Sequence, residues 1–255
     1  MFLTWIKKTW YHLLSSKEAN VYLDESKTYS LVLSSFNREE NVKKILDQYL
    51  AYSSLSEIIV WHNGSNSFLY ETGSQKLKLI NSDDLGLATR YAAALLVKNE
   101  ILFLQDDDLL VPEETLQYMA NKHSEMNTTT TIEGKRPHSD GSYGVAVKPS
   151  MGQVEECEVH LNRCICTSKT LIPSFFSFWF KTQLSLTTLA GGGEDIVYSF
   201  AARLASGNRP VALGVKYQNL TDLSAISNRA GNQHRNRTKI LHCCQITYKE
   251  LCEIT

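Results

Sequence analysis

The sequence predicts an α/β fold in which a mostly parallel sheet is flanked by helices. Continuous apolar runs of strand length, such as Ile101 to Leu104, are typical of strands that are covered on both faces. These runs alternate with segments of helical periodicity, and this alternation favours parallel β-α-β units. Polar residues follow several of the runs, and ligands bind in such folds in the crevice beyond the carboxyl ends of the strands.

The composition is that of an ordinary globular protein. The chain has 255 residues, of which 43% are hydrophobic and 21% are charged, and this balance argues against disorder. The formal net charge of -1 gives no electrostatic signal for nucleic acid or for an anionic membrane. The six cysteines form no CxxC pair, so the sequence does not indicate a structural zinc site and leaves the redox compartment open.

We expect an N-terminal helical extension over residues 1–26, followed by one domain over residues 27–255. The apolar runs at the start are too short to span a membrane, and no signal-peptide core is evident. The sequence therefore favours a cytoplasmic protein, either soluble or at a membrane surface. Residues 1–14 could contact a membrane as an amphipathic anchor or pack as a terminal helix.

The first half of the chain predicts the order β-α-β-β-α-β. The first helix has apolar residues from Val42 to Leu50 at the spacing of one buried face. The second predicted helix spans Leu87 to Val97 and is rich in alanine and leucine. The predicted strands are Tyr29 to Ser35, Glu57 to Trp61, Leu77 to Ile80 and Ile101 to Leu104.

The second half has three recognisable segments. Gly144 to Val147 predicts a strand that returns to the sheet. The aromatic run from Ile172 to Phe180 predicts core packing, and the alternative is a stacking wall for a sugar. Glu194 and Asp195 open a predicted helix, so they could simply cap its N-terminus, where the helix dipole favours carboxylates.

Three consecutive aspartates, Asp106, Asp107 and Asp108, follow the fourth strand. Adjacent carboxylates repel one another, so a divalent metal that carries a phosphate would suit them, whereas an acidic turn is the alternative. Arg38 and Arg90 also fall near strand ends and could hold phosphate oxygens, or could be solvated surface residues. The first strand is followed by neither a P-loop nor a GxGxxG motif, which disfavours kinase-like and dinucleotide-binding proteins.

Four motifs in order resemble those of GT-A nucleotide-sugar glycosyltransferases. They are Ser35-Phe36-Asn37-Arg38, Trp61-His62-Asn63, Arg90 and Gln105-Asp106-Asp107-Asp108. The pattern is most similar to the exostosin-like family, glycosyltransferase family 64, and the broad family 2 shares the same half-domain. The resemblance covers Tyr29 to Pro112 and resumes near Gly193 to Ile196. It departs from the family at Phe36, which replaces a tyrosine, and at His62, which stands between Trp61 and Asn63.

The resemblance implies a GT-A fold with a nucleotide-binding half over residues 27–112 and an acceptor half over residues 113–255. It also implies that Asp108 coordinates Mn²⁺ or Mg²⁺, that Arg90 meets the diphosphate and that Asn63 reaches the base or ribose. The aspartates before Asp108 would hold the ribose and sugar side. The residues implied to bind the nucleotide sugar are Ser34, Phe36, Arg38, Asn63, Arg90, Asp106 and Asp107.

The same resemblance places Asp195 beside the anomeric carbon or the acceptor hydroxyl, as the main catalytic carboxylate, with Glu194 as the second candidate. The basic stretch from Asn228 to Lys239 predicts either a solvated loop or a flexible segment that closes over the diphosphate. In the second case His234 and one arginine would stabilise the leaving charge. Arg237 is the chosen arginine, ahead of Arg229 and Arg235.

The implied reaction is a metal-dependent transfer of a sugar, of the hexosyl or N-acetylhexosaminyl type, from a UDP-sugar to a hydroxyl of a glycan or similar acceptor. An exostosin-like enzyme would retain the anomeric configuration, and a family 2 enzyme would invert it with Asp195 as general base. A nucleotidyltransferase is the competing class, but it normally has a glycine-rich basic loop after its first strand. A catalytically inactive sugar-binding module is a third possibility.

Overall fold

The computed structural model describes residues 27–64, 66–185, 189, 192–220 and 233–254. The predicted extension over residues 1–26 lies outside these ranges. The strands are β1 (Tyr29–Ser35), β2 (Leu55–Asn63), β3 (Leu77–Ser82), β4 (Ile101–Asp106), β5 (Leu109–Leu110), β6 (Thr130–Thr131), β7 (Gly134–Pro137), β8 (Tyr143–Val147), β9 (Val154–Glu156), β10 (Val159–His160), β11 (Cys164–Ser168), β12 (Val211–Leu213) and β13 (Gln218–Asn219). The helices are α1 (Glu39–Tyr49), α2 (Thr89–Leu95), α3 (Glu113–Met126), α4 (Ile172–Thr182), α5 (Glu194–Ser206) and α6 (Gln233–Ile254), and a 3₁₀ turn spans Lys169–Leu171.

The predicted β-α-β-β-α-β order of the first half is confirmed. Every residue of β1 is buried, as a strand covered on both faces requires. In α1 the buried apolar residues are Val42, Ile45, Leu46 and Tyr49, which form one helical face. The periodicity of the sequence therefore identified both the elements and their buried sides.

The main sheet has eight strands in the order β3-β2-β1-β4-β11-β6-β12-β9. The first four strands are mutually parallel, whereas β11 runs antiparallel to β4 and β9 runs antiparallel to β12. The register pairs Ser34 of β1 with both Trp61 of β2 and Asp106 of β4. The carboxyl ends of β1, β2 and β4 consequently meet at one edge of the sheet.

Helices cover both faces of this sheet, and alternate residues of each strand enter different cores. Leu31 and Leu33 of β1 pack in a core with α1 and α3, which contributes Leu116. Val32 packs in a second core with α2, α4, α5 and α6, to which Phe175 belongs. Because successive side chains of a strand point to opposite faces, the unbroken apolar runs supply both cores.

The expectation that Gly144 to Val147 returns to the main sheet is wrong. This segment belongs to β8, which pairs with β7 in a separate sheet of order β10-β7-β8. A short turn joins the two strands, with Gly141 at φ +81° and the Asp140 carboxylate accepting from the backbone N–H of Ser142 at 2.9 Å. Two strands joined by so short a connection pair with each other first, as a β-hairpin.

The aromatic run from Ile172 to Phe180 forms α4, and the prediction that it packs in the core is confirmed. Ile172, Phe175 and Phe178 are buried, and the ring of Phe175 stacks on that of Tyr91 with centroids 3.9 Å apart. Phe180, at the end of the run, is 83% exposed. The run is not part of the binding cleft described below.

The basic stretch near the C-terminus differs from the expected loop. From Gln233 onward it is the helix α6, and its residues Ile240, Leu241 and Cys244 are buried against the second core. Residues 228–232, which include Arg229, lie outside the described ranges. Within the described residues no helix is both long and apolar enough to cross a membrane. All six cysteines are free thiols.

Candidate active site

A cleft of about 430 Å³ lies at the carboxyl edge of the main sheet. Its walls come from the ends of β1, β2 and β4, from the start of α5, from the β7–β8 hairpin and from α6. Eleven of the residues that the sequence analysis proposed for the site line this cleft: Ser34, Phe36, Arg38, Asn63, Arg90, Asp106, Asp107, Asp108, Glu194, Asp195 and Arg237. The structure thus brings together residues from both halves of the chain, and their individual roles stay predictions.

Asp107 fastens the loop after β1 to the turn after β4. One carboxylate oxygen accepts from Arg38 Nη1 at 2.7 Å, and the other accepts from the backbone N–H of Phe36 at 3.1 Å. Burial raises the pKa of Asp107 to about 7, although the neighbouring Arg38 acts to lower it. Both oxygens are therefore already used by the protein, and Asp107 shapes the loop rather than offering a free ligand.

Arg90 connects the aspartate turn with the start of α5. It is 2% exposed, its Nη1 donates to Asp106 Oδ1 at 2.8 Å, and its Nε lies 3.8 Å from Glu194 Oε1. Glu194 also accepts from Asn162 Nδ2 at 3.2 Å. Burial acts to lower the pKa of Arg90, but the carboxylates of Asp106 and Glu194 outweigh burial and raise it. The guanidinium is a fixed, charged bridge between two segments of the cleft wall.

Asp108 has a buried carboxylate oxygen that forms no hydrogen bond. Its Oδ1 is buried and has no hydrogen-bond partner, and the nearest cations are Arg163 at 3.6 Å and Arg38 at 3.7 Å. Burial, followed by the charge of Asp106, raises its pKa. An orphaned, buried carboxylate oxygen beside the cleft is a group that a cation would stabilise.

These residues fit a divalent metal ion that the protein and a bound phosphate hold together. Within the described part of the chain, no three or more His, Cys, Asp or Glu side chains are grouped so as to hold a metal by themselves. A Mg²⁺-like ion, however, is commonly held by one or two carboxylates together with substrate phosphates and water. Asp108 matches that arrangement, since its arginine contacts are longer, at 3.6 and 3.7 Å, than those of Asp106 and Asp107, at 2.8 and 2.7 Å.

Asp195 and Glu194 stand at the N-terminus of α5 and are both buried. Gly193, immediately before them, has φ +112°, and a Cβ there would lie 2.6 Å from Ile240 Cδ1 of α6. Burial, and then the charge of Glu194, raises the pKa of Asp195 to about 7, whereas Arg237 acts to lower it. A carboxyl that titrates near neutrality beside a cleft is suited to proton transfer or to stabilising a developing positive charge.

Arg237 reaches the cleft from the first turns of α6. Its Nε is buried without a hydrogen-bond partner, and its guanidinium carbon lies 5.8 Å from the ring centroid of Tyr143. Gly192 makes room for it, since a Cβ at that position would lie 3.1 Å from Arg237 Nη2. His234, the expected companion of Arg237, is exposed on α6 and does not line the cleft, and Arg235 does not line it either.

Asn63 and Ser34 differ in what they can offer a ligand. The Asn63 amide donates to Thr89 Oγ1 at 2.9 Å and accepts from Ser82 Oγ at 3.2 Å, so it holds the segment before α2 in place. Because these bonds already engage the Asn63 amide, the structure gives no support to the expectation that Asn63 contacts the base or ribose of a nucleotide. The Ser34 hydroxyl, in contrast, is buried and unpartnered within the described structure, so it is available to a bound molecule.

The sequence analysis missed four polar residues of the cleft: Lys135, Tyr143, Asn162 and Arg163. Asn162 and Arg163 directly precede β11, which is antiparallel to β4, so the start of β11 lies beside the carboxyl end of β4. The backbone N–H of Asp106 donates to the Arg163 carbonyl at 3.0 Å. The sequence carries no local signal that β11 pairs with β4 in the antiparallel direction, and this pairing is what brings Asn162 and Arg163 to the cleft.

Comparisons with known proteins support the fold. No family model and no curated protein matches the chain. Among solved structures, the chain is similar to the mannosyltransferase PcManGT from Pyrobaculum calidifontis, a structure in complex with GDP-Man and Mn²⁺. The TM-score is 0.52 at 14% identity, over 98% of this chain and 80% of that one. The predicted α/β fold, a large and mostly parallel sheet flanked by helices, is confirmed and is similar to the fold of that mannosyltransferase. Membership of the exostosin-like family stays a prediction.

The buried bridge at Arg90 makes a prediction about stability. Arg90→Met leaves Asp106 and Glu194 without their shared cation, and removal of one partner of a buried ion pair costs about 3–5 kcal/mol. We expect a loss of that size in the free energy of unfolding, measured with urea at pH 7. Lys43→Met, which breaks the exposed pair with Glu40, should leave this free energy almost unchanged. Equal effects of the two substitutions would contradict the assignment.

Proposed function

We propose that this protein is a glycosyltransferase that transfers a sugar from a nucleoside-diphosphate sugar to an acceptor hydroxyl. The observation that carries the proposal is the convergence of Asp108, which has an unused oxygen, and Asp195, whose pKa is near neutral, on one cleft. The two groups come from opposite halves of the chain, and Arg90 holds those halves together. Such a pairing suits a reaction in which negative charge leaves at one end of a substrate and a hydroxyl enters at the other.

The donor would occupy the part of the cleft beside β1 and β4. Ser34 offers a free hydroxyl to the ribose or base, and Phe36 lines the same wall. Arg38 lies near Asp108 and could contact a phosphate without leaving Asp107. We propose a UDP-sugar as donor, as the sequence motifs imply, and a GDP-sugar as the second candidate, since the similar structure holds GDP-Man.

The residues around Asp108 fit a bound Mn²⁺ or Mg²⁺. Such an ion would act as a Lewis acid that neutralises the charge of the departing diphosphate. Arg90 and Arg38 hold Asp106 and Asp107 in place, and Asp108, whose Oδ1 forms no hydrogen bond, would face the ion. Arg237 supplies a second, permanent positive charge on the opposite wall for the leaving group.

Asp195 acts on the reacting sugar or on the acceptor. In an inverting reaction its carboxylate takes the proton of the acceptor hydroxyl as the new C–O bond forms and the bond to the diphosphate breaks. In a retaining reaction the same carboxylate stabilises the positive charge that develops on the donor sugar. Both roles require the ionised form.

A nucleotidyltransferase fits the cleft less well. The loop between β1 and α1, Phe36-Asn37-Arg38, contains no glycine, and Asp107 holds it through Phe36 and Arg38. A glycine-rich loop that wraps a triphosphate is therefore not formed at this position. Nothing in the loop between β1 and α1 favours a nucleotidyltransferase.

Binding of a nucleoside diphosphate should stabilise the folded protein. We expect UDP, or in its place GDP, to raise the melting temperature in the presence of Mn²⁺, because a ligand at 100 times its Kd adds about 2.7 kcal/mol to the free energy of unfolding. Asp108→Asn should abolish the part of the shift that depends on Mn²⁺ and abolish transfer, with the fold intact by circular dichroism. Asp83→Asn, the same change at an exposed residue outside the cleft, is the control. If neither nucleotide shifts the melting temperature, the proposed function is wrong.

The pH dependence of transfer should report Asp195. Because the ionised form is required and burial raises the pKa of this group to about 7, kcat should increase as the pH rises through about 7. Glu194→Gln removes a negative charge that raises this pKa, so the midpoint should move to lower pH. Glu71→Gln, an exposed control, should leave the midpoint in place. A midpoint that does not respond to Glu194→Gln would assign the pH dependence to another group.

The anomeric configuration of the product separates the two mechanisms. The motif Trp61-x-Asn63 and the basic residues near Arg237 favour the exostosin-like reaction, so we expect retention of the donor's configuration, measured by proton NMR of the product. An inverted product would remove the exostosin-like assignment and identify Asp195 as the general base.

A further inference from the structure

The cleft has a wall of hydrogen-bond donors, two of them cationic side chains, that the donor half does not supply. Lys135 on β7, Tyr143 on β8 and Arg237 on α6 all line it, next to Asp195. The elements are joined locally: the backbone N–H of Tyr143 donates to Thr238 Oγ1 at 3.1 Å, and the guanidinium of Arg237 faces the ring of Tyr143. The β7–β8 hairpin and α6 therefore form one continuous surface on the acceptor side.

The donors on this surface are only partly satisfied, in contrast to the other cationic side chains of the cleft, which are held in ion pairs. Arg38 is paired with Asp107, Arg90 with Asp106, and Arg163 with Glu133 at 2.6 Å. Within the described residues, Lys135 forms no ion pair, and the contact of its Nζ is with the Gly144 carbonyl at 3.2 Å.

The phenol and the guanidinium beside Lys135 are also incompletely satisfied. The hydroxyl of Tyr143 is buried, the residue being 4% exposed, and it has no hydrogen-bond partner in the described structure. Burial, and then the charge of Lys148, lowers the pKa of Lys135, while the charges of Glu133 and Asp195 act to raise it. Buried donors without acceptors are costly unless a ligand supplies the acceptor.

We propose that Lys135 and Tyr143, with Arg237 at their inner side, form an anion subsite that binds a phosphate group carried by the acceptor substrate. This inference rests on the proposed function, because it is the location beside Asp195 that places the subsite on the acceptor side. Arg237 lies at the boundary between this subsite and the leaving group of the donor.

The chemistry of the three donors favours phosphate over a carboxylate. An ammonium, a phenol and a guanidinium approach from three separate elements, so they match the several oxygens of a tetrahedral phosphate better than the two coplanar oxygens of a carboxylate. A phosphate monoester also carries more negative charge at neutral pH. The subsite therefore selects an acceptor with a phosphate near the hydroxyl that receives the sugar.

The test is a calorimetric titration of inorganic phosphate into the protein saturated with Mg²⁺ and UDP or GDP, whichever stabilises it. Lys135→Met should weaken phosphate binding about tenfold or more, since a charge-assisted hydrogen bond is lost, and should leave nucleotide affinity unchanged within about twofold. Lys135→Arg should restore phosphate binding. Arg136→Met removes a cation from the same strand, but its guanidinium contacts Glu155 and the Glu156 carbonyl outside the cleft, so it is the matched control.

Each outcome decides a separate point. Acetate that binds as tightly as phosphate would overturn the selection for phosphate. Phosphate that competes with the nucleotide, or a Lys135→Met variant with weakened nucleotide affinity, would assign Lys135 to the donor's own diphosphate and overturn the subsite. Equal losses in Lys135→Met and Arg136→Met would also overturn it. If phosphate binds through Lys135 while neither UDP nor GDP binds, the subsite stands and the proposed transfer fails.

Discussion

The cleft depends on the ion pairs that the buried guanidinium of Arg90 forms with two carboxylates. This guanidinium lies between Asp106, at the end of a central strand, and Glu194, at the start of a helix from the other half of the chain. The guanidinium lies against both carboxylates and compensates the charge of each. The ion pair therefore fixes the relative position of the aspartate turn and of Asp195, the next residue on the helix.

The three consecutive aspartates have different partners and therefore different roles in the structure. Asp106 and Asp107 are paired with Arg90 and Arg38, and Asp107 also holds the backbone of Phe36, whereas Asp108 Oδ1 forms no hydrogen bond. Three adjacent carboxylates would otherwise repel one another and unfold the turn. Two of them thus stabilise the fold so that the third can stay incompletely satisfied, as a ligand site requires.

The side of the cleft that we assign to the acceptor is assembled from elements outside the main sheet. A separate three-stranded sheet provides Lys135 and Tyr143, and the C-terminal helix provides Arg237. Gly192 and Gly193 allow that helix to approach the start of α5, because a side chain at either position would meet Arg237 or Ile240. Close packing at two glycines is what places a cation from the end of the chain beside Asp195.

The sequence by itself determined the order of the first half, its buried faces and the polar residues at the strand ends. It did so because apolar periodicity and residue type are local properties, and parallel strands bring their carboxyl ends together. It did not determine that Gly144 to Val147 leaves the main sheet, that Asn63 is fully bonded to its own chain, or that Lys135 and Arg163 reach the cleft. These features depend on strand pairing and on packing between segments far apart in sequence, so only the tertiary structure decided them.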